Sequence, residues 1–145
     1  MLDRQDYIEI ILDHYENPRH KHRMEDASVQ LGGGNPGCGD LITLYLKIND
    51  DRIEEASFEG VGCTISQAGG SIIAELIEGM TLDEVKALGK ETMIEEIGEE
   101  TVKSRVRCAT LALGTAQAAV DSYLNDRRRE REGLPPEEKV KQFEI

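Results

Sequence analysis

The stretch GGGNPGCGDLITLYLKI, residues 32–48, joins a glycine-rich segment that carries a thiol to a run with the alternation of a β-strand. Its five glycines and one proline exclude a regular helix in the first half. In the second half, alternate residues are aliphatic and would share one face of a strand: Ile42, Leu44, Leu46 and Ile48. The stretch therefore predicts a loop presenting Cys38 and Asp40 just before a half-buried strand.

Further elements flank this strand on both sides. Residues 52–60 predict a second strand after a turn at 49–51, with Ala56 and Phe58 inward and Ile53 out of phase, which indicates a bulge. Residues 26–32 predict a third strand, whereas residues 91–100 are acidic and ambiguous. Four helices are predicted. The first covers residues 2–15, and the second runs from just after Cys63 to a cap at Gly79. The third runs from Thr81, which forms a capping box with Glu84, to about Gly89, and the fourth from about Val102 to Leu124.

Length and charge restrict the class of protein. The 145 residues suit one domain, which we place at residues 1–125, followed by a charged C-terminal extension at 126–145 that we read as a frayed helix end or a tail. A formal net charge of −12 argues against nucleic acid or an anionic membrane as partner, because both are polyanions. The N-terminus has no secretory pattern, and we expect a cytoplasmic protein whose three cysteines stay reduced.

Cys38 is the thiol whose surroundings point most directly to function. A free cysteine is usually a small buried hydrophobe, but the sequence around Cys38 is glycine, proline and asparagine, which cannot easily bury it. Glycines on both sides let the backbone approach a bound ion, and Asp40 can turn its carboxylate to the same point. We therefore interpret Cys38 as a ligand rather than a core residue.

The other two thiols are less decisive alone. Cys63 lies where a strand ends and a helix begins, and a helix N-terminus favours a thiolate, although a cysteine packed at such a junction is an equal alternative. Cys108 projects onto the apolar arc of its helix, as a core cysteine would. Its position in the first turns, beside Arg105 and Arg107, favours a thiolate instead.

The spacing between the cysteines excludes the common local metal motifs. Twenty-four and 44 residues separate them, whereas zinc fingers and ferredoxins use tight pairs. All three cysteines nevertheless fall in loops or at element starts, and such ends can converge at one pole of an α+β domain. Three thiolates and one carboxylate make four ligands, which suits tetrahedral zinc or a [2Fe–2S] cluster.

Four segments together resemble a known family. They are DHYENPR (residues 13–19), NPGCGD (35–40), GVGCTIS (60–66) and RVRCA (105–109). In this order and spacing they are similar to the iron–sulfur cluster scaffolds IscU, SufU and the N-terminal domain of NifU, over roughly residues 5–124. The resemblance implies an α+β fold in which a small antiparallel sheet of about three strands packs against helices, with the cysteines exposed together at one end.

The resemblance also implies a site and partners. Cys38, Asp40, Cys63 and Cys108 would hold the metal or cluster, and sulfur would arrive as a persulfide from a PLP-dependent cysteine desulfurase. Cys63 and Cys108 are the candidate persulfide acceptors, and Arg105 and Arg107 could stabilise the persulfide anion or be solvated arginines. Apo iron–sulfur proteins would receive the cluster. The sequence leaves open the source of electrons, for which a ferredoxin is a candidate, and the oligomeric state, for which a homodimer that covers the cluster is a candidate. Such a scaffold is a carrier without turnover of its own.

Two departures keep an alternative open. The IscU branch has a histidine directly before its third cysteine, where this chain has Arg107. That branch also has a Leu-Pro-Pro-Val-Lys chaperone motif just upstream, where this chain has residues 101–105 with a different sequence. A Leu134-Pro135-Pro136 sequence does occur, but after the last predicted helix. RVRCA is closer to SufU, whose zinc-bearing members accept sulfur, but their insertion between the second and third cysteines is missing here. A zinc-bound persulfide acceptor is thus the alternative to a [2Fe–2S] scaffold. A metalloenzyme has less support, because all three histidines lie in residues 14–22.

Overall fold

A mixed sheet of four strands, in the order β3-β2-β1-β4, forms the centre of the computed structural model, which describes residues 2–135 and 143–145. Helices pack against this sheet and against one another. The elements in chain order are α1 (Arg4–Glu16), β1 (Val29–Asn35), β2 (Asp40–Asn49), β3 (Arg52–Val61), α2 (Thr64–Ile77), α3 (Leu82–Ala87), α4 (Lys90–Ile97), α5 (Glu99–Ser104), α6 (Val106–Arg131) and β4 (Phe143–Glu144). The α+β prediction is confirmed.

Strands β1, β2 and β3 form the antiparallel meander that the alternation in residues 41–60 predicts. The four aliphatic residues expected on one face of β2 are all buried, as are Ala56 and Phe58 of β3. The pairing of β2 with β3 shifts by one residue between Lys47 and Ile48. The shift places Ile53 opposite Ile48, on the inward face of the strand, where Ile53 is fully buried. The extra residue, Glu54, lies between Ile53 and Glu55, so the predicted irregularity is present in β3 itself.

The glycine-rich segment differs from the loop that its composition predicts. Gly32, Gly33 and Gly34 are paired with β2 as part of β1, so that only a short turn separates the two strands. The physical reason lies in α6: a Cβ on Gly33 would overlap the buried side chain of Thr115. Glycine at this position lets the long helix lie directly on the strand.

Helices α2 and α6 contact each other and cover the sheet. Helix α2 begins directly after Cys63 and ends before Gly79, as predicted. Helix α3 has the predicted capping box, in which Thr81 and Glu84 each accept a hydrogen bond from the other's backbone amide. Residues 91–100, which were ambiguous in sequence, form nearly all of α4 and the first two residues of α5.

The segment from residue 102 onward departs from the prediction at both ends. A break at Arg105 separates α5 from α6, so the long helix begins at Val106 instead of Val102. Helix α6 then continues to Arg131 as regular helix, so the prediction of a frayed end or tail from residue 126 is wrong for these residues. Although α6 is the longest helix described in residues 2–135 and 143–145, none there is long and apolar enough to cross a membrane.

The C-terminal residues add a strand that the sequence did not predict. Phe143 and Glu144 pair in parallel with Gly33 and Gly34, and the Phe143 ring lies against Gly114 of α6. The sheet is therefore mixed and four-stranded rather than antiparallel and three-stranded. The middle of the predicted extension, residues 136–142 with Pro136 of the Leu-Pro-Pro sequence, lies outside the described residues, and the boundary at residue 125 stays a prediction.

The N-terminal DHYENPR segment has a structural role. Ser71 of α2 is fully buried, and its Oγ lies 2.8 Å from His14 Nδ1 and accepts a hydrogen bond from the backbone N–H of Arg19 at 2.8 Å. The Arg19 guanidinium returns to Asp13 with an N–O distance of 2.6 Å. Partial burial lowers the pKa of His14, which favours its neutral form. These contacts tie the end of α1 to α2.

Candidate metal centre

The three cysteines come from separate parts of the chain and meet around one carboxylate. Cys38 lies in the turn between β1 and β2, Asp40 is the first residue of β2, and Cys63 caps α2. Cys108 lies in the first turn of α6. The ligand atoms of Cys38, Asp40 and Cys108 are all within 4.8 Å of one another, a spacing that can hold a metal ion.

The carboxylate of Asp40 is the centre of this group, with only 1% of the residue exposed. Its Oδ1 accepts a hydrogen bond from the backbone N–H of Cys63 at 2.7 Å. Its Oδ2 lies 3.3 Å from Cys108 Sγ and 3.8 Å from Cys63 Sγ. Cys63 therefore joins the group by its contacts with Asp40, the same carboxylate that contacts Cys108.

Backbone geometry explains how Asp40 comes so close to Cys63. Gly62 has φ +142°, a conformation that L side chains rarely adopt, and a Cβ there would overlap Asp40 Oδ1. On the other side of Asp40, the carbonyl of Asn35 accepts hydrogen bonds from the N–H groups of Cys38 and Gly39 at 3.1 and 2.9 Å. The tight turn and the glycine together direct the carboxylate toward the thiols.

Cys63 is the N-cap of α2, as its place between strand and helix predicts. Its backbone is extended, and its Sγ accepts a hydrogen bond from the N–H of Ser66 at 3.4 Å. Cysteine here has the role that serine or aspartate usually has at this position. The thiol is half-buried, with one side on the helix terminus and the other toward Asp40.

Cys108 corrects the expectation that the cysteines are exposed together. It is buried, with 3% of its surface exposed, while Cys38 is exposed. Burial, followed by the contacts with Asp40 and Cys63, raises the pKa of Cys108 to about 12. In the metal-free protein this thiol therefore keeps its proton at neutral pH, and a metal that binds it must displace that proton.

The arginines beside Cys108 do not counter this effect. Arg105 and Arg107 are both exposed, and neither contributes to the shifted pKa of Cys108. Both arginines are exposed, whereas Cys108 is buried, and the stabilisation of a thiolate by these arginines stays a prediction. Their contact with a persulfide stays a prediction.

Exposure falls in steps across the three thiols, from exposed Cys38 through half-buried Cys63 to buried Cys108. A metal or a sulfur atom arriving from solvent would meet Cys38 first and reach Cys108 last. The donor set of three soft sulfurs and one hard oxygen fits zinc and iron equally, since both accept thiolate and carboxylate in tetrahedral sites. The group can therefore bind a thiophilic centre that enters from one side.

Sequence reasoning missed two buried amides next to this group. Asn35 is 1% exposed, and its Nδ2 donates to Cys108 Sγ at 3.8 Å. Gln67 of α2 is 5% exposed, and its Nε2 donates to Ser66 Oγ at 3.2 Å. The carbonyl oxygens of both amides have no hydrogen-bond partner within the described residues. The available signal was an asparagine directly before the proline of the Cys38 turn, which we interpreted only as loop composition.

Comparisons with known proteins find similar sequences and a similar fold over most of the chain. The family model described as NifU-like N-terminal domain matches residues 6–130. The chain is 38% identical over 111 residues to a Thermotoga maritima protein named iron–sulfur cluster assembly scaffold protein IscU, covering 77% of this chain and 78% of that one. It is 35% identical over 125 residues to the Escherichia coli K12 protein of the same name, covering 83% and 96%.

A solved structure is similar to this chain in its three-dimensional fold. It is described as a putative iron–sulfur cluster assembly scaffold protein for the SUF system, from Fervidobacterium islandicum AW-1. Its TM-score is 0.67 at 30% sequence identity, over 77% of this chain and 94% of that chain. The similarity in fold and the similarity in sequence each extend over more than three-quarters of the chain.

Proposed function

This chain belongs to the family of NifU-like N-terminal domains, and from that premise we propose that it assembles an iron–sulfur cluster and passes it to other proteins. One observation supports the proposal most: three thiols from three elements meet around a single buried carboxylate. A core cysteine needs no such neighbours, and a buried carboxylate that faces three thiols without a cation is a costly arrangement for the metal-free fold. The three thiols and the carboxylate act together only when they bind a cationic centre.

The cargo in this proposal is a [2Fe–2S] cluster held by Cys38, Asp40, Cys63 and Cys108. Sulfur reaches it as a persulfide from a PLP-dependent cysteine desulfurase, with Cys63 or Cys108 as acceptor. Each sulfane sulfur needs two electrons to become sulfide, which a donor such as ferredoxin would supply. Exposed Cys38 suits the side on which iron enters and the finished cluster leaves. The chain acts as a carrier, and the proposal requires no turnover of its own.

Anaerobic reconstitution tests this function. The protein is mixed with a cysteine desulfurase, cysteine, ferrous iron and a reductant, and the visible spectrum is followed before and after adding an apo-ferredoxin. We expect iron–sulfide absorption that moves to the ferredoxin, and no such absorption with the Cys38→Ser variant. The absence of a chromophore on the unmodified protein, or a chromophore that never transfers, would rule out the scaffold function.

Asp40 should control how readily the cluster leaves. A carboxylate oxygen is a harder and weaker donor to iron than a thiolate, so it makes one corner of the cluster labile. Asp40→Ala is therefore expected to give a cluster that persists longer and moves to apo-ferredoxin more slowly, by about tenfold. Asp121→Ala, which removes a surface carboxylate paired with Lys86, is the control and should transfer at the normal rate. Equal rates for both variants would refute the role of Asp40.

A further inference from the structure

Asn35 links two of the cysteines through different parts of the same residue. Its backbone carbonyl accepts the N–H groups of Cys38 and Gly39 and so shapes the turn that carries Cys38. Its side-chain amide donates to Cys108 Sγ across 3.8 Å, between the end of β1 and the first turn of α6. The residue is 1% exposed, so water does not compete for either contact.

The amide is held at this position although half of its hydrogen-bonding capacity is unused. Asn35 Oδ1 has no partner within residues 2–135 and 143–145, a costly arrangement for a buried carbonyl. A residue that only filled space here would be apolar. The feature that an apolar residue of this size could not supply is the N–H group directed at Cys108 Sγ.

An N–H donor becomes more useful when the sulfur carries charge. In the metal-free protein the contact is long, at 3.8 Å, and weak, because sulfur is a poor acceptor. When Cys108 binds a metal as a thiolate, the same N–H makes a charge-assisted hydrogen bond to a buried anion. Hydrogen bonds to ligand sulfurs also raise the reduction potential of iron–sulfur clusters.

We propose that Asn35 is a positioning residue of the metal centre, whose side-chain amide orients Cys108 Sγ and stabilises its thiolate in the metal-bound state. This inference rests on the proposed function, since it takes Cys108 as a ligand. Asn35 itself does not bind the metal. It acts through Cys108, while its backbone maintains the turn of Cys38, so one residue sets the distance between an outer and an inner ligand.

Gln67 offers a matched control. It is also a buried amide beside the centre with an unpartnered carbonyl oxygen, but its Nε2 donates to the Ser66 hydroxyl instead of a sulfur. Replacing Gln67 with methionine removes an amide of similar burial and leaves every contact to sulfur in place. A general effect of losing a buried amide would appear in both variants, whereas an effect on Cys108 would appear only at Asn35.

The test compares zinc affinity in Asn35→Leu, Gln67→Met and the unmodified protein, by competition with a zinc-binding chromophore. We expect Asn35→Leu to bind zinc about tenfold or more weakly, the usual scale for losing a partner of a ligand, and Gln67→Met to remain within about twofold. Cobalt substitution provides an independent readout, because the sulfur-to-cobalt absorption of Asn35→Leu should shift while that of Gln67→Met should not. Asn35→Asp, of the same shape but without the donor when ionised, replaces Asn35→Leu if the latter does not fold.

The outcomes separate this inference from the proposed function. Equal zinc affinity and cobalt spectra in the Asn35 variant and the unmodified protein would overturn the role of Asn35, as would an equal loss in Gln67→Met. If the unmodified protein binds zinc with the expected dependence on Asn35 but never holds a cluster, the scaffold function fails and the role of Asn35 stands. In cluster-loaded protein, a lower reduction potential for Asn35→Leu than for Gln67→Met would support it further.

Discussion

Replacing Cys108 with serine is expected to weaken zinc binding by more than about 100-fold, beyond the effect of losing a partner of a ligand. A serine hydroxyl does not ionise near neutral pH and is a harder donor than a thiolate, so the centre loses one of three sulfur ligands. The fold should survive, because the hydroxyl is similar in shape and can donate to Asp40 Oδ2 in place of the thiol. Competition with a zinc-binding chromophore measures the affinity, and circular dichroism checks the fold.

Thr110→Ser is the control for this variant. Thr110 lies two residues further along α6, and its hydroxyl donates to the carbonyl of Val106 rather than to the centre. Its replacement keeps the hydroxyl and should leave zinc affinity unchanged. A folded Cys108→Ser protein with the affinity of the unmodified chain would show that Cys108 is a core cysteine and not a ligand.

Gly62→Ala should be the most damaging single change to both fold and site. The backbone at φ +142° is strained for any residue with a Cβ, which costs about 1–3 kcal/mol. The new methyl group would also overlap Asp40 Oδ1 and push the carboxylate away from Cys63 and Cys108, which adds about 1–3 kcal/mol. We expect the free energy of unfolding to fall by about 2–6 kcal/mol. In the fraction that still folds, zinc should bind more weakly, because the displaced carboxylate no longer serves as a ligand beside the thiols. Urea denaturation measures the first effect and zinc competition the second.

Gly79→Ala separates backbone strain from overlap. Gly79 has φ +87°, but a Cβ there would meet no atom within 4 Å, and the residue follows α2 at the end away from Cys63. This variant should lose about 1–2 kcal/mol through backbone strain alone and keep full zinc affinity. If Gly62→Ala is no less stable than Gly79→Ala and binds zinc equally well, the close approach of Asp40 to Gly62 is not what positions the carboxylate.

The parts of this fold that could be predicted are those with a local periodic cause. The alternation of aliphatic residues in β2 is sufficient to place Ile42 and Leu44 in the core. The capping box of α3 and the start of α2 at Cys63 follow from side-chain chemistry within four residues. The approach of the cysteines to one point was inferred from their places at element ends, and the distances to Asp40 agree with it.

The parts that could not be predicted depend on partners distant in sequence. Gly33 belongs to a strand because Thr115 of α6 lies directly over it, which composition alone does not reveal. Strand β4 is two residues long, and its pairing with Gly33 and Gly34 has no periodic signal. The same limit applies to the contact between Cys108 and Asn35, which arises from the crossing of α6 over the end of β1. The burial of Cys108, by contrast, agrees with its place on the apolar arc of the helix.

Metal and sulfide analysis of anaerobically purified protein tests most directly whether the three thiols and the carboxylate hold an iron–sulfur cluster. The expected result is iron and acid-labile sulfide in equal amounts, two of each for every cluster, with visible absorption that disappears in Cys108→Ser. Stoichiometric zinc without iron or sulfide, before and after anaerobic reconstitution, would contradict it and identify the centre as that of a zinc-bound sulfur acceptor.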